Sequence, residues 1–280
     1  MIFGTLTLGQ SQEFCINLFF LFALAAQLGM IITQMSRASA TSTSIFEILD
    51  VENELAYKPD AISILEVEGQ VKFDDVTFRY FTSGEPVQRN VDGMPGETVA
   101  LLGATGSGKS TIINLLTRYY HPSSGSITIH GYDLRDIKIE SLRTQIVIVL
   151  QETTLFEGKI RENITYGKPD ASDEEVIDAA KLAHAHSFIE RLPDGYDNIL
   201  GERGSALSQG QKQLMATARA ALSDPRILIL DEATSSVDTR TGRLIQKAME
   251  SLLGDRTSFV IVHRLSTIRN ADQLLVMDDG

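Results

Sequence analysis

The stretch TVALLGATGSGKST, residues 98–111, decides the fold of this chain. Thr98 to Leu102 is a short apolar run of the kind found in buried strands, and a helical pattern covers Thr111 to Tyr120. Between the two, Gly103 to Thr111 fits the pattern G-x-x-x-x-G-K-[ST]. Glycines let such a loop fold tightly, so that backbone N–H groups and the positive end of the following helix face phosphate groups. The stretch therefore predicts a phosphate-binding loop within an α/β domain.

The sequence from Val71 onward supports this fold class. Short apolar runs alternate with helical patterns, which indicates a mainly parallel sheet. Ser172 and Glu175 have capping-box spacing and begin a helix-rich insertion that reaches about Asp224. The candidates for buried strands are Thr98 to Leu102, Ile146 to Leu150, Ile227 to Leu230, Ser258 to Val262 and Gln273 to Met277.

A long apolar run lies near the N-terminus. Phe14 to Ile32 has about the length that a bilayer-spanning helix needs. A signal peptide or a buried helix of a soluble domain are the alternatives, but no Lys or Arg precedes Arg37 to form the positive region of a signal peptide. A membrane helix is favoured. Because Arg37 and Lys58 follow the run, the positive-inside rule places the N-terminus outside and the later residues in the cytoplasm.

The pattern after Ile32 turns amphipathic, so we expect the helix to continue as a stalk to about Leu49. Residues 51–70 mix acidic side chains with Pro59 and Gly69 and are interpreted as a linker. The predicted organisation is therefore a membrane helix with its stalk over residues 1–50, the linker, and an α/β domain over residues 71–280. Its helical insertion covers about residues 152–224.

Charge and cysteine content exclude some classes of function. The formal net charge of −12 argues against a nucleic-acid partner, because phosphate neutralisation needs clustered Lys and Arg. The single cysteine, Cys15, allows neither an internal disulfide nor a thiolate metal cluster.

Two groups of residues carry the predicted chemistry. Lys109 is expected to reach the β- and γ-phosphates of ATP, and the Ser110 hydroxyl to ligate Mg²⁺. Asp231 and Glu232 end an apolar strand, where ligands collect in open α/β sheets. Asp231 is expected to hold Mg²⁺ and Glu232 to act as general base on the attacking water. The nucleotide-binding candidates in the loop are Gly103, Thr105, Gly106, Ser107, Gly108, Lys109, Ser110 and Thr111.

A second helix start decides the family resemblance. The segment LSQGQKQ, residues 207–213, precedes a helical pattern over Gln211 to Leu222, and taken alone it indicates only a capped surface helix. Together with the phosphate loop, it resembles the L-S-G-G-Q signature of the ABC superfamily. The resemblance implies that two cassettes pair head to tail, so that Ser208, Gly210 and Gln211 contact ATP held by the partner cassette.

Further motifs resemble this family in the same order along the chain. Tyr80 resembles the aromatic residue that stacks on adenine. Gln151 resembles the glutamine that contacts Mg²⁺ and the attacking water, and His263 resembles the histidine that faces the γ-phosphate. The remaining two matches are Gly201 to Gly204, which resembles a loop that marks exporters, and Ser235 to Asp238, which occupies the D-loop position.

The resemblance implies a fold and an activity. The expected fold is a P-loop NTPase core with a mainly parallel sheet, an antiparallel β subdomain and a helical subdomain, preceded by one long transmembrane and stalk helix. The expected activity is ATP hydrolysis that powers export, with a second cassette, further membrane helices and the plasma or inner membrane as partners. Compared with an exporter half-transporter, the sequence is interpreted as truncated at both ends.

Some residues depart from the family pattern. The stretch Asn90 to Gly96 is about two residues shorter than the usual strand before the phosphate loop, and a pairing shifted by one residue would reverse its inward-facing side chains. Gln209 replaces a signature glycine and Lys212 the usual arginine. Two other functions stay open: a soluble ABC ATPase that acts on nucleic acid or ribosomes, and a nucleotide-binding remnant without turnover. The sequence leaves the transported substrate undetermined.

Overall fold

The computed structural model describes residues 7–50, 58, 60–65, 67–80, 87–231, 239–254, 256–262 and 269–278. The chain divides into two compact units, residues 1–54 and residues 55–280. Each unit has its own architecture. The predicted domain bounds at residues 50 and 70 stay predictions.

The first unit consists of one long helix, α1 (Leu8–Leu49). Its N-terminus is closed by a reciprocal cap, in which the Thr7 hydroxyl accepts from the Gln10 amide and the Gln10 side chain accepts from the Thr7 amide. None of the α1 residues is buried within this chain. By length and composition it is the one helix among the described residues that is long and apolar enough to cross a membrane.

The second unit is built on a five-stranded sheet in the order β11-β3-β10-β9-β6, with all neighbours parallel. The strands of this sheet are β3 (Thr98–Gly103), β6 (Ile146–Val149), β9 (Ile227–Asp231), β10 (Thr257–Ile261) and β11 (Gln273–Met277). Each begins and ends within about one residue of its predicted position. The fold class is thereby confirmed.

Helices and a core cover both faces of this sheet. On β9, Leu228 and Leu230 belong to one apolar cluster, whereas Ile227 and Ile229 belong to the other. Successive side chains of a strand point to opposite faces, so a strand buried on both faces is apolar throughout. The helices of this unit are α2 (Lys109–Leu116), α3 (Ile139–Gln145), α4 (Ile160–Thr165), α5 (Asp173–Leu182), α6 (His186–Ile189), α7 (Gln209–Ser223) and α8 (Thr239–Leu253).

A second, antiparallel sheet has the order β2-β1-β4-β5. Its strands are β1 (Val71–Phe78), β2 (Val87–Gly93), β4 (Ser124–Ile129) and β5 (Tyr132–Asp133), and a separate pair joins β7 (Gly158–Lys159) to β8 (Ile199–Leu200). Short 3₁₀ turns lie at Leu134–Asp136, Gly195–Asp197 and Glu202–Gly204.

The short stretch before the phosphate loop forms part of β2. It pairs with β1 from Val71 opposite Gly93 to Phe78 opposite Val87, and the register shifts between Phe73 and Val76. Val91 lies opposite Phe73 and is buried. The irregularity belongs to β1, because β1 also shifts register against β4, between Asp74 and Thr77.

Residues of the predicted linker contribute to the core of the second unit. Ile64 and Val67 are buried in one of its apolar clusters. Ile62 forms a parallel bridge to Ile137. Described residues from position 60 onward thus pack as part of this unit.

Candidate functional site

The predicted phosphate loop joins the end of β3 to the start of α2 (Lys109–Leu116). A Cβ atom on Gly103 would lie 2.4 Å from the Met277 carbonyl oxygen and 2.5 Å from Ser107 Oγ, so only glycine fits there without movement. Gly106 and Gly108 have φ angles of 90° and 93°, in the region that side chains disfavour. The glycine spacing of the motif is therefore a requirement of the backbone path.

Lys109 folds back onto the loop that precedes it. Its Nζ donates to the carbonyl oxygens of Gly103 and Ala104, at 2.7 Å each, and lies 3.5 Å from the buried Ser107 Oγ. Because α2 begins at this lysine, the N–H groups of Lys109 and Ser110 have no acceptor within the helix. The loop thus presents a concentrated positive potential to an anion.

A cleft of about 460 Å³ opens above this loop. Its volume lies in the range of small-molecule sites. Most of the predicted site residues line this cleft. Gly103 and Ser107 belong to the loop but do not line the cleft. The lining residues are Tyr80, Thr105, Gly106, Gly108, Lys109, Ser110, Thr111, Gln151, Asp231 and Ile261.

The order of the parallel strands brings the polar residues of the cleft together. Ligands in open α/β sheets bind outside the carboxyl ends of the strands. Asp231 ends β9 and pairs with Ile261 of β10, and Gln151 follows the neighbouring strand β6. The hydroxyl of Ser110, the amide oxygen of Gln151 and the carboxylate of Asp231 therefore offer oxygen atoms to one cleft, and oxygen is the ligand that Mg²⁺ takes.

Tyr80 forms one wall of the cleft and is held by four neighbours. Its hydroxyl lies 3.2 Å from Thr111 Oγ1 and accepts from Asn114 Nδ2 at 3.2 Å. Its ring meets Phe78 and Tyr120 edge to face, at 4.8 and 5.1 Å between centroids. A fixed ring that is 45% exposed offers a surface on which a planar base can stack.

The signature residues are not among those that line this cleft. Ser208 caps α7: its hydroxyl accepts from the Gln211 amide at 3.3 Å, and Gln211 Oε1 accepts from the Ser208 amide at 2.9 Å. Gly210 is buried in the first turn. The structure therefore does not bring Ser208, Gly210 or Gln211 to the phosphate loop of the same chain.

Three predicted residues or segments fall outside the described residues. They are Glu232, His263 and the segment from Ser235 to Asp238. Their roles stay predictions.

The structure adds residues that the sequence reasoning missed. Gln213 and Asn163 are buried polar side chains on α7 and α4, and both bind the segment after β6. A signal was present in the helical spacing, since Gln213 stands among Gly210, Leu214 and Thr217 on the buried face of α7. A polar residue at a core position needs a hydrogen-bond partner, but the spacing does not say which.

Arg219 joins the same network from the other end of α7. Its Nε donates to the Asn163 carbonyl oxygen at 2.9 Å, and its guanidinium lies over the stacked rings of Phe156 and Tyr166. Burial lowers the pKa of Arg219 from its ordinary value, and the carbonyl oxygen and the aromatic faces offset part of the cost of burying its charge.

Comparisons with known proteins identify the family of these features. The ABC transporter family model matches residues 88–235. The ABC transporter ATP-binding protein YknV of Bacillus subtilis is 45% identical over 99% of this chain and 46% of its own length. The ATP-dependent lipid A-core flippase of Desulfotalea psychrophila is 48% identical over 86% of this chain and 42% of its own length.

A solved structure that is similar to this chain also belongs to an ABC exporter. A bacterial Atm1-family ABC exporter with ATP bound is 39% identical, with a TM-score of 0.78, over 99% of this chain and 49% of that chain. The chain thus spans less than half the length of these curated relatives. The resemblance to the ABC superfamily is confirmed.

Proposed function

This chain belongs to the ABC transporter family, and we propose that it binds and hydrolyses Mg-ATP, within a head-to-tail pair of cassettes, to power export across a membrane. The observation that carries the proposal is the single cleft that unites the phosphate loop with Gln151, Asp231 and Tyr80. The flippase named above and the ATP-bound exporter are similar over most of this chain, which supports the same class of activity.

ATP binding is assigned to the walls of the cleft. The N–H groups at the start of α2 and the ammonium of Lys109 bind the phosphates, while the Tyr80 ring stacks on adenine. Lys109 exchanges its bonds to loop carbonyls for phosphate oxygens, so it remains hydrogen-bonded in both states. The loop is thus arranged for phosphate before ATP arrives.

Mg²⁺ fits the oxygen atoms that face this cleft. Ser110, Gln151 and Asp231 would hold it, directly or through water, together with phosphate oxygens. When bound, Mg²⁺ neutralises the charge that develops on the β- and γ-phosphates.

Hydrolysis needs a positioned water and a base to accept its proton. Glu232 follows Asp231 directly in sequence and is proposed as the base. Gln151 orients the attacking water, and His263, two residues after Ile261 of β10, stabilises the γ-phosphate. Hydrolysis also requires that bulk water is excluded from the cleft. The chain's own signature residues do not line the cleft and so do not cover it.

The position of the signature residues, outside the lining of the cleft in their own chain, supports a partner cassette. In a head-to-tail pair, Ser208, Gly210 and Gln211 of one chain would close on the γ-phosphate held by the other. The N-terminus of α7, already capped by Ser208, has the positive potential that a phosphate requires. ATP then joins two chains that separate after hydrolysis.

Two features support attachment to a membrane, namely the helix α1 and a groove on the second unit. We assign α1 to a membrane of the plasma or inner type, with its stalk reaching residue 50 and a linker over residues 51–70. The cassette over residues 71–280 then lies in the cytoplasm, with a helical subdomain over about residues 152–224. A groove of about 650 Å³ on the second unit is suited to receive the intracellular ends of membrane helices. It is lined by Gln151, Glu152, Thr153, Thr154, Arg203, Gln209 and Lys212.

ATP turnover by the purified chain tests the proposal. Lys109→Ala and Glu232→Gln should each lower kcat roughly a thousandfold, because each removes a group that acts in the transition state. Lys181→Ala is the matched control, since this exposed lysine pairs with Asp178 on α5. Turnover that is unchanged by both substitutions contradicts the assigned roles, and tight ATP binding without turnover in the parent favours a nucleotide-binding remnant.

A further inference from the structure

The segment from Leu150 to Phe156, here called the Gln151 segment, leaves the sheet after β6 and carries Gln151 into the cleft. Its second and third residues, Gln151 and Glu152, are exposed. Polar side chains of the helical region hold the segment on both sides of these two residues. The attachments are specific enough to determine where Gln151 lies.

Gln213 of α7 makes the first attachment. Its Oε1 accepts from Thr153 Oγ1 at 3.0 Å, and its Nε2 donates to the Leu150 carbonyl oxygen at 3.4 Å. The two bonds lie on either side of Gln151 and Glu152. Since the Gln213 side chain is only 6% exposed, water does not readily replace either bond.

Asn163 of α4 makes the second attachment, at the far end of the segment. Its amide forms a reciprocal pair with the Phe156 backbone, accepting from the N–H at 2.9 Å and donating to the carbonyl at 3.0 Å. Arg219 of α7 holds Asn163 in turn. Between the attachments, Leu155 packs so close to Gly204 that a Cβ there would lie 3.0 Å from Leu155 Cδ1.

The same helix that supplies Gln213 begins at the signature. Ser208 caps α7, and Gln213 lies five positions later, about 7.5 Å further along the axis. A helix moves as a rigid element over so short a distance. Any displacement of the Gln151 segment that keeps the Gln213 bonds therefore moves Ser208 as well.

We propose that Gln213 is a positioning residue, which couples the place of Gln151 in the ATP cleft to the orientation of the signature helix α7. The inference rests on the proposed function, because it assigns a consequence to Gln151 meeting Mg-ATP. Gln213 itself does not line the cleft. Gln213 passes a displacement of Gln151, caused by ATP binding, to the start of α7, which faces the partner chain.

Enzyme kinetics on the full chain separate this role from simple packing. Gln213→Leu should lower kcat about tenfold and leave the KM for ATP within about twofold, since the groups that bind ATP are untouched. Thr153→Val removes one of the two bonds from a partly exposed position and should lower kcat by about threefold, and Thr153→Ser should restore it. Adding Thr153→Val to Gln213→Leu should cost nothing more, because both changes break one attachment.

Hydrogen exchange supplies a readout that needs binding but no turnover. In the parent, Mg-ATP should slow exchange in residues 150–156 and in residues 208–216 together. In Gln213→Leu, Mg-ATP should still slow exchange in residues 150–156 but should no longer slow it in residues 208–216. The inference is overturned if Gln213→Leu retains both changes with parental kcat, or if the parent binds Mg-ATP without any change in residues 208–216. A parent chain that binds no Mg-ATP instead overturns the proposed function, and this inference with it.

Discussion

The phosphate loop and the Gln151 segment border the same cleft but are held in place by different means. The hydrogen bonds of the loop are local, since Lys109 Nζ donates to carbonyl oxygens only five and six positions earlier, although Gly103 also packs against Met277. The Gln151 segment is fixed by side chains that lie far along the chain, since Gln213 is 60 positions from Thr153. Local chemistry therefore specifies the first region, whereas tertiary packing specifies the second.

The largest effect should come from the tightest point of the phosphate loop. In Gly103→Ala, the new Cβ would lie 2.4 Å from the Met277 carbonyl oxygen, so the loop or strand β11 must shift. We expect a loss of about 3 kcal/mol in the free energy of unfolding, because the clash is with backbone. We also expect ATP affinity to fall at least about tenfold, since the loop shape is set here.

Gly242→Ala is the matched control for that prediction. A Cβ on this glycine of α8 meets nothing within 4 Å, and alanine is the better helix former. The substitution should leave ATP affinity unchanged and raise stability by about 0.5–1 kcal/mol. Thermal unfolding and nucleotide titration measure both quantities, and equal stability losses in the two variants would contradict the close packing at Gly103.

A smaller effect is expected at the Gln151 segment. Asn163→Leu removes both part-buried bonds to the Phe156 backbone and leaves that N–H and carbonyl without a partner on α4. The expected loss is about 2 kcal/mol in the free energy of unfolding. It should be accompanied by faster hydrogen exchange at Phe156.

Asn198→Leu tests whether the loss is specific to that attachment. The Asn198 amide makes one exposed bond, to the Ile199 carbonyl at 3.3 Å, and its removal should change stability by less than about 0.5 kcal/mol. If the two variants unfold at the same temperature, Asn163 does not hold the segment.

The smallest effect concerns a helix cap remote from the cleft. The hydrogen bond from Lys168, followed by those from the Ser172 backbone and side chain, lowers the pKa of Glu175 from 4.5 to about 2. Because the pKa is lower in the folded state, this stabilisation is complete above about pH 4.5 and is lost as the pH falls towards 2. Between pH 5 and 3, the parent should therefore lose more stability than Glu175→Gln.

Glu174→Gln controls for the removal of a negative charge from the same helical turn of α5. Its melting temperature should follow that of the parent across this pH range. An identical pH dependence in the parent and in Glu175→Gln would show that the cap does not depend on ionised Glu175.

Sequence reasoning predicted the part of the site that is locally encoded. The strand, loop and helix around Lys109 were predicted because glycine conformations and apolar runs are properties of neighbouring residues. Asp231 was predicted because ligands collect at the carboxyl ends of strands in open α/β sheets, whereas Gln151 was assigned from its resemblance to the family motif. The capping box at Ser172 formed as its spacing indicated.

The residues that were missed depend on contacts distant in sequence. Gln213 and Asn163 stand at buried helix positions, where spacing shows that a polar group is enclosed but not that it binds Leu150, Thr153 or Phe156. The shift in the β1–β2 register could not be predicted either, since it is set by how β1 meets two neighbouring strands. Packing between elements decides such features.

In the proposed head-to-tail pair, the signature of one chain completes the ATP site of the other. The direct test mixes Lys109→Ala chains with Ser208→Arg chains and measures ATP hydrolysis. Each variant alone lacks an intact site, but a mixed pair combines the intact Lys109 of one chain with the intact Ser208 of the other. With random pairing and independent sites, an equal mixture should recover about a quarter of parental turnover. A mixture that stays as inactive as either variant alone would contradict a site shared between two chains.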